Sequence, residues 1–147
     1  MAAKHFLPQN LSSLIDLEIS VMKRYYNHTK DAKELSLIYF QIPETNTGYE
    51  WIIEKILRNT DAVVQEKNHF VALLFATNKN GALKLLEGIQ EFLNEKPLDI
   101  VVNYPHDGSS SKVLLEKFQD EIKDNYGVLL ECLRTTDLDA TTNDEFF

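Results

Sequence analysis

Leu14, Ile15, Ile19 and Met22 recur at steps of three and four residues, and Tyr25 or Tyr26 continues the series. That spacing predicts a helix from 11 to about 28 with one apolar stripe to bury. Ser12 or Ser13 is placed to cap its start. Residues 27–34 are polar and read as a loop. The run LSLIYFQI at 35–42 is apolar on both faces and too short for a buried helix, so it reads as a central strand. A loop at 43–47 leads to a short helix at 48–57, with Trp51, Ile52, Ile56 and Leu57 inward. Residues 61–65 predict a strand, Glu66-Lys67-Asn68 a hairpin tip, and HFVALLFA at 69–76 a second central strand.

The later pattern repeats the theme. Ala82, Leu85, Leu86, Ile89, Phe92 and Leu93 place one face on a helix at 81–94. LDIVVN at 98–103 reads as a strand, and Val113, Leu114, Phe118 and Ile122 face inward on a helix at 109–123. GVLLECL at 127–133 reads as a last strand. The expected fold is mixed α/β, of the α+β kind. It has a ferredoxin-like βαββαβ core with a mostly antiparallel central sheet, an N-terminal helix, and an additional C-terminal helix and strand. The expected organisation is a flexible N-terminus at 1–10, one domain at 11–133, and a polar, acidic, disordered tail at 134–147.

Composition narrows the class without naming a function. The chain has 147 residues, 44% hydrophobic and 26% charged, as expected for one globular domain with a real core. The formal net charge is −8, and Asp137, Asp139, Asp144 and Glu145 near the end contribute four of those charges. No basic stripe appears, so nucleic acid is not an expected partner. The single cysteine, Cys132, sits in an apolar run and cannot form an internal disulfide. No segment approaches the roughly 20 apolar residues of a membrane span. The first ten residues also lack the apolar run of a signal peptide. A cytoplasmic protein without membrane insertion is expected.

Three patches resemble one family, the GGDEF domains of bacterial diguanylate cyclases, which join two GTP molecules into cyclic di-GMP. The first is Leu17-Glu18-Ile19 through Lys23-Arg24-Tyr25, followed by Leu35-Ser36-Leu37-Ile38. The second is Arg58-Asn59-Thr60-Asp61, then Val63-Val64 and Phe70-Val71-Ala72-Leu73-Leu74, which is similar to the family's RxxD segment and signature hairpin. The third is Tyr104-Pro105-His106-Asp107-Gly108 with Leu114-Leu115, which resembles its YPxDG turn and late helix. Together they span roughly 17 to 133, with a shortened middle.

The departures from the family carry as much information. Where the hairpin would read Gly-Gly-acid-acid, this chain has Glu66-Lys67-Asn68-His69, and the hairpin reads about one residue short. The glycines that open the family's turn are absent, as are the acids that serve metal and catalysis. Where the family's first strand ends in Asp-x-Asp, this chain has Gln41 and Pro43, neither of which offers a carboxylate to a hard cation. Only eighteen residues separate Ile42 from Asp61, so most of the guanine-recognition segment is missing. Phosphoryl transfer depends on metal and positioning. The resemblance therefore implies a degenerate member with no catalytic residues, no metal site and no cofactor.

Arg58 and Asp61 survive, and the resemblance implies an inhibitory-type site for cyclic di-GMP there. An Arg fork can donate to the N7/O6 edge of guanine, and a carboxylate can accept from its N1–H and N2–H₂. At a helix-to-strand junction the pair is expected to face outward together. Capping is the competing explanation, since an Arg closing a helix and an Asp opening a strand are common local choices.

Other candidates have plain structural explanations. His5, His28, His69 and His106 share no metal-ligand spacing. His69 replaces a catalytic acid of the family's hairpin but has no evident acidic or metal partner in sequence. Ser109-Ser110-Ser111 opens a helix and reads as capping rather than a phosphate loop. Cys132 and Trp51 read as core, and the terminal Asp144-Glu145-Phe146-Phe147 is a candidate docking peptide. Three functions follow as expectations. The first is an inactive GGDEF-like signalling module acting by self-association or on a protein partner. The second is a cyclic di-GMP effector reading ligand at Arg58 and Asp61. The third is an enzyme with a rearranged site.

Overall fold

The computed structural model describes residues 3–25, 34–42, 55–93, 100–130 and 133. The fold is mixed α/β, with a five-stranded sheet in the order β1-β3-β4-β2-β5. The strands are β1 Lys4–Phe6, β2 Leu35–Gln41, β3 Ala62–Glu66, β4 His69–Phe75 and β5 Val101–Tyr104. The helices are α1 Leu11–Tyr25, α2 Lys79–Leu93 and α3 Ser111–Tyr126. The neighbours β3 and β4, β4 and β2, and β2 and β5 are antiparallel, and only β1 with β3 is parallel. The loop expected at 43–47 and residues 48–54 of the short helix expected at 48–57 lie outside the described residues. Trp51, Cys132, His28, the side chains of Phe92 and Leu93, the loop at 27–33 and the tail at 134–147 also lie outside them.

Alternation along β2 explains the layers. Successive strand side chains point to opposite faces, so Leu37 and Tyr39 join one core while Ile38 and Phe40 join the other. The first core takes Leu11, Ile15, Ile19 and Met22 from α1 and Leu114, Leu115, Phe118 and Ile122 from α3. The second takes Ala82, Leu86 and Ile89 from α2, with Val63, Phe70, Ala72 and Leu74 from the sheet. Phe40 and Phe70 are cross-strand partners and stack with centroids 5.4 Å apart. No helix among the described residues is long and apolar enough to cross a membrane.

Four expectations change. Residues 4–6 are not a flexible leader but β1, laid along β3 with Lys4 N–H donating to Asp61 O at 3.0 Å. The start of α1 is led by a 3-10 turn at Pro8–Asn10 rather than capped by Ser12 or Ser13. Ser12 Oγ instead lies 3.2 Å from Ser111 Oγ, where α1 meets α3.

Val113 was expected inward and is exposed, because the buried stripe of α3 runs through Ser111, Leu114, Leu115, Phe118 and Ile122. Its side chain still presses on the preceding turn: a Cβ at Gly108 would lie 2.8 Å from Val113 Cγ1, an approach only glycine allows. The last strand does not form over residues 127–130. Gly127 closes α3 in the left-handed conformation at φ 68°, with its N–H on Lys123 O. Gln119 then takes both backbone groups a ladder would need, donating to Val128 O and accepting from Leu130 N–H, each at 2.8 Å.

Phe118 is fully buried between α1 and the sheet, whereas Leu17 on α1 is 58% exposed. Phe118→Ala is expected to cost about 3–5 kcal/mol through transfer and cavity terms. Leu17→Ala is expected to stay within about 0.5 kcal/mol of wild type. Urea denaturation followed by circular dichroism measures both.

Candidate functional site

Arg58 and Asp61 are brought together, but not to face outward. They close a tight turn in which Asp61 N–H donates to Arg58 O at 2.9 Å. The Asp61 carboxylate points inward with 0% exposure. It accepts from the Arg58 backbone N–H at 2.9 Å, from Nε at 3.2 Å and from Nη2 at 2.8 Å. Burial of a carboxylate is tolerable only with such pairing. Arg58 Nη2 also reaches Thr77 Oγ1 at 2.6 Å and Phe75 O at 3.2 Å, so the guanidinium fastens the start of β3 to the end of β4. The expected outward carboxylate is thereby corrected: only the Arg58 side chain, 46% exposed, meets solvent.

The same end of the sheet continues as one polar chain. Thr77 Oγ1 donates to Phe75 O, Ser36 Oγ donates to Thr77 O, and Asn103 Nδ2 donates to Ser36 Oγ. Ser36 and Asn103 are fully buried, and Asn103 Oδ1 has no partner among the described residues. Asn103 and Asp107 then clasp each other: Asn103 N–H donates to Asp107 Oδ2 at 2.8 Å and Asp107 N–H to Asn103 O at 2.7 Å. Lys117 Nζ completes the chain with a 2.6 Å bond to Asp107 Oδ1. Burial pushes the Asp107 carboxyl up, but the bonds from Lys117 and Asn103 and the charges of Lys79 and Lys117 outweigh it and hold it below its ordinary value. The aspartate of the YPxDG-like turn thus ties β5 to α3. Ser110 caps α3, accepting from Val113 N–H, as its position in the serine run suggests. His106 Nε2 lies 3.2 Å from Glu34 at the surface, and His5 is exposed on β1.

The hairpin lies at the far end of β3. Lys67 takes the left-handed turn conformation at φ 55°, and Gln65 Nε2 holds its carbonyl at 2.9 Å. His69, opposite Gln41 in the ladder, is not isolated. Its Nδ1 lies 2.8 Å from the hydroxyl of Tyr39, which accepts from Gln41 Nε2 at 2.7 Å. Burial pushes the Tyr39 hydroxyl up, with the Gln41 bond opposing. Burial also pushes His69 below its ordinary value, outweighing the nearby Glu66 charge. Among the described residues, no three His, Cys, Asp or Glu side chains converge to hold a metal.

No protein-family model matches the chain, and no curated protein matches it. The residues above therefore stand on their own chemistry.

Three residues of these networks gave no signal as site residues in the sequence. Tyr39 is hidden in an apolar run, although Gln41 two positions on shares its face and could have marked it. Thr77 follows a strand as an ordinary turn residue. Gln119 lies mid-helix and acts across to the chain beyond α3.

Loss of either partner at the Arg58 turn strips charged hydrogen bonds. Asp61→Ala and Arg58→Ala are each expected to cost about 1.5–3 kcal/mol, with the double variant costing less than their sum. Chemical denaturation of the three variants checks this. His69 provides a pH test. Its folded value is depressed, so the unfolded chain binds the proton first on acidification. The stability it contributes is present above the ordinary histidine value of 6.5 and is lost as pH falls from there through the folded value. Melting temperatures across that window are expected to fall more steeply for wild type than for His69→Gln.

Proposed function

We propose that this chain is a catalytically inactive GGDEF-like signalling module that acts by protein–protein contact, through self-association or on a partner. The observation that carries the reading is what stands at the hairpin end. A cyclase requires carboxylates there to hold Mg²⁺ against a triphosphate. On the resemblance, Gln41 and Pro43 replace the strand-end carboxylates and His69 replaces a hairpin acid, and Gln41 and His69 are each bonded to the Tyr39 hydroxyl. Their polar groups hold strand ends together, which favours a binding role over turnover. Leu17 and Val113 are apolar side chains, 58% and 46% exposed, that such contact can cover.

The second reading is a cyclic di-GMP effector at Arg58 and Asp61. The exposed outer edge of Arg58 favours it, since a guanidinium fork suits guanine. Asp61 limits it, because its carboxylate must leave Arg58 before it can accept from guanine N1–H. An enzyme with a rearranged site has no observation in its favour.

Incubation with GTP and Mg²⁺, followed by nucleotide chromatography, is expected to return GTP unchanged. Light scattering is expected to show either a mass above one chain or a complex with a partner recovered by pull-down. Cyclic di-GMP formation would overturn the inactive reading, and a stable monomer without an interactor would overturn the contact reading. Calorimetric binding of cyclic di-GMP that disappears in Arg58→Ala would put the effector in its place.

A further inference from the structure

A cleft of about 460 Å³ opens between the β3–β4 hairpin and the segment after α3. It lies at the opposite end of β3 from Arg58 and Asp61, and it owes nothing to the RxxD pair. Its volume falls within the range of small-molecule sites.

Its two walls differ in chemistry. Glu66, Lys67 and His69 of the hairpin are its polar lining, and Val128, Leu129 and Leu130 after α3, with Pro8 ahead of α1, are its apolar lining. Both are held in place. Gln65 fixes the carbonyl of Lys67 on the polar side. On the apolar side Gln119 grips Val128 and Leu130, which leaves Leu130 buried and turns Leu129 outward at 70% exposure.

The network beneath His69 sets which ring nitrogen carries the proton. Tyr39 is fully buried, and its hydroxyl bonds among the described residues are the two to Gln41 and His69. It accepts from Gln41, so its own proton goes to His69 Nδ1. The imidazole is then the neutral Nε2–H form, and Nε2–H, on the ring edge away from Tyr39, is a donor for the cleft that His69 lines.

Charge narrows the ligand. Among the described residues of the polar lining, Glu66 and Lys67 carry opposite formal charges and His69 none, a set that favours neither a net anion nor a net cation. An ammonium and an N–H donor stand beside a carboxylate, facing an apolar surface. We propose that this cleft binds a small zwitterion with an apolar side chain, an amino acid or a dipeptide. Its carboxylate lies against Lys67 and His69, its ammonium against Glu66, and its side chain against Val128, Leu129 and Pro8.

The test is titration of L-phenylalanine and, separately, the dipeptide Phe-Leu into ¹⁵N-labelled protein, read by two-dimensional NMR. N-acetyl-phenylalaninamide, which lacks both charges, is the control. Saturable shifts at the amides of Lys67, His69 and Leu129 are expected for at least one zwitterion and not for the control. Saturation by Phe-Leu alone would assign the cleft to a peptide, and saturation by L-phenylalanine to the free amino acid. Lys67→Ala, an exposed turn side chain whose loss leaves the core intact, and His69→Gln are each expected to weaken binding about tenfold. The proposal is overturned if neither zwitterion gives saturable shifts up to its solubility. Shifts that map away from the cleft, equal shifts from the control, or undiminished binding by Lys67→Ala overturn it too.

Discussion

Burial of β2 on both faces is the constraint on which the rest of the fold depends. Six of its seven residues, Leu35 to Phe40, are buried, so neither side of the sheet can be left to water. A side chain such as Leu37, Ile38 or Phe40 contributes roughly 1.5–3 kcal/mol when fully buried, and this gain requires a layer on each face. Helices α1 and α3 provide one layer and α2 the other. With the faces covered, the strand ends and sheet edges are what remains for polar chemistry, and both polar clusters sit at strand ends.

The two ends use that opportunity differently. At the Arg58 end, side chains bond backbone carbonyls and each other from β3 through β4 and β2 to β5, and Lys117 carries the chain to α3. Every step ties one element to the next, as a buried carboxylate and a buried amide require. At the hairpin end the Tyr39 network is compact and sits beneath an open cleft. One end is built to close and the other is left partly open.

Elements with a clean period were legible in the sequence. The apolar runs of β2 and β4 and the stripes of α1 and α2 fixed their own identity, because burial alone selects their residues. Two segments were not. Lys4–Phe6 carries no alternating pattern, and its pairing is decided by the edge of β3 that it finds. GVLLECL has the composition of a strand, but Gln119, which lies before it on α3, claims the groups of Val128 and Leu130. No local pattern announces such a competitor. The site was legible to the same degree. The spacing of Arg58 and Asp61 marked them as a pair, while the guanidinium that meets the buried carboxylate is itself held by Phe75 and Thr77, residues that only the folded sheet brings near.

The placement of β1 bears on which backbone groups the sheet leaves open at its edge. An open sheet ends in rows of unpaired amides and carbonyls that recruit strands from other molecules. On this side the exposed row would belong to β3, whose Val63 and Val64 are of the high-β-propensity type that amyloid-forming segments favour. The three residues of β1 cover that row, and they present in its place an edge too short to template much, with Lys4 on it. The hydrogen-bonding row of Val63 and Val64 is thus already taken up inside the chain, by three residues that tie the start of the sequence to the sheet.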